Sequence, residues 1–177
     1  MNSKQPSQGF TLAEALIVVT LIGILALALI PLASQNPAKL SVAATEIGNA
    51  LRLAINEAHR TGGYVLVDAA DPARVRIFHS DASGATLGSV TDPLTKRALD
   101  VDAAAPALPG KVTLTPKFFK GSTAYRQLLI GPGTQLQAFD NGNNKGALDA
   151  GSGVVLTSDG QSVVVTLNEI TGLVTIP

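Results

Sequence analysis

Cysteine is absent from the chain, which excludes a disulfide framework, thiolate metal sites and a cysteine nucleophile. Net charge is absent as well. Thirteen basic residues balance thirteen acidic ones, so no overall field favours nucleic acid or an anionic membrane surface. Histidine is scarce, and the two present, His59 and His79, show no HExxH-like spacing, which argues against zinc. No Gly-rich phosphate loop precedes a helical stretch, and Gly151-Ser152-Gly153 lacks the Gly-x-Ser-x-Gly pattern of a nucleophile elbow. Neither an enzyme nor a cofactor is expected.

What the chain does have is apolar, and it is unevenly placed. Its 177 residues are enough for one domain and a membrane anchor, and 46% of them are hydrophobic. These crowd between Ala15 and Ala33, a run without any charge. At about 1.5 Å per helical residue, Phe10 to Ala33 makes a rod able to cross a hydrocarbon core roughly 30 Å thick. A secretory signal peptide ending near Ala33-Ser34-Gln35 is the competing reading. The run is longer than the usual ~7–15-residue signal core, and Glu14 sits near its start. A carboxylate carried to the bilayer centre costs on the order of 2–3 kcal/mol and needs a partner there; at the headgroup boundary the cost is small.

Gly9-Phe10-Thr11-Leu12-Ala13-Glu14, ahead of the long apolar run, resembles the processing site of type IV prepilins and pseudopilins. The resemblance implies cleavage after Gly9 by a membrane-embedded prepilin peptidase and N-methylation of the new first residue, Phe10. It also implies that Glu14 pairs with the terminal ammonium of Phe10 in an adjacent subunit. Pairing two charges that are each costly in lipid offsets part of that cost and fixes axial register. The leader fits: Met1 to Gln8 is polar, lacks an apolar core and carries Lys4, which orients the helix N-terminus toward the cytoplasm. Pro31 falls where members of this family often carry a helix-kinking proline.

Beyond Asn36-Pro37 the pattern becomes one-sided. Leu40, Ala43, Ala44, Ile47, Ala50, Leu51, Ala54, Ile55 and Ala58 recur at spacings of three and four, the signature of one buried helix face. Thr61-Gly62-Gly63 ends the pattern, so one long bent helix is expected from about Phe10 to Arg60. Glu57 and His59 stand at i and i+2 and do not face each other, so solvated helix surface is expected there.

From Tyr64 the period switches to two. Tyr64–Val67 and Arg74–Phe78 read as strands around an Asp68–Pro72 turn, and Asp81–Gly84 reads as a second turn. Residues 100–110 read as an irregular loop, and Lys111–Thr115 as a short strand that Pro116 ends or displaces. Gln127–Ile130 and Gln135–Phe139 are weaker strand candidates. Asp159-Gly160 between Gly153–Ser158 and Gln161–Leu167 is a strong hairpin signal. Asn168–Gly172 then turns the chain into Leu173–Ile176. The expected class is α+β: a long N-terminal helix, transmembrane and then amphipathic, packed on an antiparallel head.

The second half resembles the minor pseudopilin and minor pilin group that holds the H-type pseudopilins of type II secretion and the FimT-like pilins. The features are Glu57-Ala58-His59-Arg60 before a strand and the closing Asn168–Ile176 ribbon. Major pilins of many species close a C-terminal loop with a disulfide, which this chain cannot form. The implied organisation is a leader over 1–9, a transmembrane assembly helix over 10–33, an amphipathic continuation over 34–61 and a periplasmic head over 62–177. The implied function is a minor pseudopilin in the inner membrane; the alternative is a minor type IV pilin for pilus assembly, motility or DNA uptake. Implied partners are prepilin peptidase, other pseudopilins or pilins, an inner-membrane assembly platform and the lipid bilayer.

Two side readings remain open. Asp140–Asn144 suggests a calcium loop, but Gly142 takes a ligand position and Lys145 the glycine's, so a turn is the better account. Some major pseudopilins bind calcium in C-terminal loops, which keeps a site within 140–149 open. Lys117, Lys120 and Arg126 mingle with Phe118, Phe119 and Tyr125, as in single-strand binders. The closing segment has no cation, so a solvated strand-loop is expected and nucleic acid is not an expected partner.

Overall fold

The computed structural model describes the backbone of residues 12–29, 36–103 and 112–177, and side chains over 12–22, 38–103 and 112–177. The chain divides into two compact units, residues 1–35 and residues 36–177. Among its described residues the first holds a helix, α1 (Leu12–Leu29). The second holds a helix, α2 (Asn36–Thr61), and antiparallel sheets, so the class is α+β. Whether one helix runs from Phe10 to Arg60, and whether Pro31 bends it, lies outside the described residues.

α2 begins with Pro37 in its first turn, where a missing N–H leaves no intrahelical bond unmade. Its nine apolar positions at spacings of three and four, from Leu40 to Ala58, are all buried. Five of them are alanines, so the sheets approach the helix backbone closely. The helix stops where glycine permits a left-handed residue: Gly62 has φ of 62°, and the Thr61 hydroxyl accepts from Gly63 N.

Among the described residues twelve strands follow. In chain order they are β1 (Tyr64–Asp68), β2 (Arg74–Ser80), β3 (Thr86–Ser89), β4 (Asp100–Asp102), β5 (Thr113–Lys120) and β6 (Thr123–Tyr125). Then come β7 (Gln127–Gly131), β8 (Gln135–Asp140), β9 (Asn143–Ala147), β10 (Gly153–Ser158), β11 (Gln161–Leu167) and β12 (Val174–Thr175). They form two sheets rather than one. The first runs β3-β2-β1-β7-β8-β9, with β4 also paired to β2; the second runs β12-β11-β10-β5-β6. α2 packs on both, and the side chains of its buried face join one core with Val65, Val67, Val154, Leu156 and Val165.

Turn chemistry places the strands as expected at several points. Asp159 and Gly160 both have positive φ, 47° and 80°, so β10 and β11 pair in a tight hairpin. Asn168 Oδ1 accepts from Ile170 N and Thr171 N, and Gly172 at φ 70° completes the turn into β12. Gln127–Gly131 and Gln135–Asp140 are both strands, paired with each other.

Two expectations are corrected. β5 runs through Pro116 instead of stopping before it. Leu114 N donates to Pro72 O, away from β10, so by the alternation of a strand Pro116 turns its nitrogen to the same outer side. β6 joins that side only from Phe118 onward. No ladder bond is lost, and the proline fits. The loop expected over 100–110 begins with a strand, β4, whose Asp102 and Asp100 lie opposite Arg74 and Arg76 of β2. Arg74 reaches both carboxylates at 3.7 Å, so cross-strand charge pairing takes the place of apolar patterning.

The first sheet also has a small cluster on its far side: Leu66, Leu129 and Phe139, with Tyr64 and Phe78 packed against it. The Asp81–Ala85 turn folds over it. Gly84 stands there at φ 81° with its Cα against the Phe139 ring, a place that admits no Cβ.

Candidate functional site

α1 is short of polar groups all the way round. Every side chain from Leu12 to Ile22 is exposed, whichever side of the helix it occupies. Leu12, Val19, Leu16 and Ile22 expose 60% or more of their surface. Fully burying one such side chain is worth about 1.5–3 kcal/mol, so seven large apolar side chains that are each about half exposed or more represent on the order of 5–15 kcal/mol in favour of an apolar surrounding. Glu14 lies in the first turn, where the helix dipole favours a carboxylate, and its side chain is exposed. Gly9, Phe10 and Pro31 lie outside the described residues, so the proposed cleavage point, methylation site, register pair with Glu14 and kink have no described geometry. α1 rises about 27 Å over its length. Among the described residues no helix is long and apolar enough to cross a membrane.

Residues 4–30 match the family model of the prokaryotic N-terminal methylation motif. The chain therefore carries a type IV pilin-like signal. That signal implies processing by prepilin peptidase and assembly with other pilins. The match ends at residue 30 and does not reach the head. No curated protein and no solved structure matches the chain.

The head gathers its polar groups into caps and turns. Arg60 donates to both oxygens of Glu57, at 2.7 and 2.9 Å, and this fork holds the Glu57 carboxyl below its usual range. His79 Nε2 lies 3.7 Å from the same carboxylate. Solvated helix surface is expected at Glu57 and His59; His59 is exposed, but Glu57 is half-buried and the histidine near it comes from β2. Only the packing of α2 on β1, with β2 paired beside it, could reveal that pair.

Asp149 joins distant segments. It accepts Gly121 N at 2.6 Å and Lys120 Nζ at 3.3 Å, and these bonds, the backbone one first, lower its carboxyl's affinity for protons. Lys120 is thereby tied to Asp149. Lys117, three residues earlier in the same strand, falls on the opposite face. Phe118 is fully buried, Phe119 and Tyr125 are half-buried, and Arg126 is exposed. The cations and aromatics of this segment are thus divided between core and two faces.

Asn141 and Gly142, at φ 45° and 79°, make the tight turn between β8 and β9. Asn144 is engaged locally, donating to Gln137 Oε1 at 2.6 Å and accepting from Gly146 N. Among the described residues no three His, Asp or Glu side chains converge as metal ligands. An open groove of ≈ 660 Å³ lies between α2 and the 92–102 segment, with Ala50, Leu53, Leu99 and Val101 along it and Glu46 and Asp92 at its rim.

Proposed function

We propose that this chain is a minor pseudopilin, a structural subunit of a type II secretion pseudopilus, without catalytic activity of its own. The observation that carries the reading is the methylation motif over residues 4–30, in which Glu14 stands directly ahead of the charge-free apolar run from Ala15 to Ala33. In this reading Phe10 is the mature, N-methylated first residue. The run from Ala15 to Ala33 anchors the subunit in the inner membrane with its N-terminus cytoplasmic and its head periplasmic. Glu14 answers the Phe10 ammonium of the next subunit and sets the axial register, one of the better-supported uses of a buried charge pair. Neighbouring apolar helices then bundle, and stepwise addition of subunits moves exported protein toward the outer membrane.

The strand-rich head without cysteine supports a minor subunit over a disulfide-closed major pilin. The competing reading is a FimT-like minor type IV pilin. Deleting the gene in its own organism separates the two. Loss of type II secretion with surface pili intact is the expected result, and neighbouring genes for J- or K-type pseudopilins would agree. Loss of pili, motility or DNA uptake with secretion intact would overturn the pseudopilin reading. So would DNA binding by the protein at moderate salt that disappears on Lys117 and Lys120 substitution.

A further inference from the structure

The second sheet ends on an edge that is only partly covered. β12 pairs with β11 at Thr166 and Leu167 alone, so Gln161–Val165 has no strand on that side among the described residues. The direction of its backbone groups follows from its neighbours. Leu167 N donates toward Ser152 on the β10 side, whereas Asn168 N donates to Leu173 O on the β12 side. By the two-residue alternation, Ser162 and Val164 therefore present their N–H and C=O groups to the uncovered edge. Both residues are exposed.

The chain's own last residues do not fill this edge. Continued in register, β12 would bring Ile176 opposite Val165 and Pro177 opposite Val164. Ile176 instead packs against Gly48 of α2, and a proline has no N–H to donate.

The other edges are short or carry features that keep strands apart, β6 spanning only three residues. β9 has Lys145 and a register shift opposite it, and β4 carries two aspartates. β3 is four residues long with a bulge beside it, and the outer side of β5 holds Pro116. Gln161–Val165 has no charge, no proline and no bulge.

We propose that this edge accepts an extended, uncharged strand from a neighbouring subunit, by addition of that strand to the second sheet. The inference rests on the filament role proposed above. Backbone donors and acceptors repeating at strand spacing are matched by another extended backbone, and the absence of charge disfavours an ionic ligand. Exposed backbone bonds replace bonds to water, so the contact is weak for two free heads. Subunits already held side by side by their first helices meet at high effective concentration, where a weak contact suffices.

The test is amide hydrogen exchange, read by mass spectrometry over 161–167, on the full chain with its own peptidase and assembly system. Exchange is compared between the membrane pool and assembled filaments. Ser162 and Val164 are expected to exchange at least tenfold more slowly in filaments. Val164→Lys, which adds a charge to the edge and leaves the core intact, is expected to melt like wild type in the membrane pool and to lose the protection. Equal exchange in both wild-type pools, or wild-type protection in Val164→Lys filaments, overturns the edge inference alone. Wild-type chain that is cleaved but never assembles overturns the filament reading and, with it, the donor strand.

Discussion

Arg52 on α2 donates from Nη2 to the backbone carbonyl of Val174, 122 residues later, at 2.9 Å. The same guanidinium donates to Asn49 Oδ1 at 3.3 Å. β12 makes only two pairs with β11, and this side chain joins the buried Val174 and the Ile176 contact with Gly48 in fastening the closing strand to the helix.

Arg52→Ala is therefore expected to cost about 1 kcal/mol, below the ~1.5–3 kcal/mol usual for a charged donor because the arginine is partly solvated. Urea unfolding checks it: the midpoint falls while the slope stays constant. An unchanged midpoint would mean that β12 is held without Arg52.

Gly84→Ala is expected to cost about 2–4 kcal/mol, combining a left-handed backbone with displacement of the buried Phe139 ring. Gly121 is the control. It has a similar φ of 61°, but a Cβ there meets nothing within 4 Å. Gly121→Ala should cost about 1–2 kcal/mol, the backbone part alone. Equal losses at the two sites, measured by thermal or urea unfolding, would show that the Phe139 contact contributes nothing.

Acid should weaken the head. The carboxyls of Glu57, Asp81, Asp92 and Asp149 are all lowered, by the Arg60 fork, the Ser83 hydroxyl, Leu94 N and Gly121 N respectively. A carboxyl held below its unfolded value adds stability that is fully present above that value, about 4 for Asp and Glu. This stability is lost as the pH falls through the lower folded value. Asp149→Asn should flatten the decline below pH ~4 and leave the pH dependence at neutrality unchanged. An unchanged acid slope in this variant would contradict the assignment.

The parts of the fold that follow from local chemistry are legible in the sequence. The buried face of α2 follows from the spacing of Leu40, Ile47, Leu51 and Ile55, and the β10–β11 hairpin from Asp159-Gly160. The parts that depend on partners are not. Pro116 reads as a strand breaker until Leu114 N shows which way its neighbour faces. Asp100–Asp102 reads as loop until Arg74 arrives across β2. The division into two sheets, and the meeting of Glu57 with His79, depend on which strands lie against α2, and no local pattern carries that. For the candidate site the balance is reversed. The methylation motif is a local signal and was readable residue by residue, whereas the geometry at Gly9, Phe10 and Pro31 lies outside the described residues.

Glu14→Ala is expected to insert in the membrane and be cleaved like wild type, yet to assemble at least tenfold less efficiently. Removing the carboxylate leaves the neighbour's ammonium without its partner. Glu14→Gln should behave similarly if charge, rather than shape, sets the register. Filament content measured by shearing or cross-linking checks both variants, and normal assembly of either would refute the charge-pairing role.

The central claim is that Gly9-Phe10 is the point where a membrane precursor becomes a filament subunit. Its most direct test is to express the full chain with a prepilin peptidase and determine the N-terminus of the product by mass spectrometry. The account predicts a mature chain that begins with N-methylated Phe10. A product starting at Gln35, or a chain left uncleaved, would contradict it.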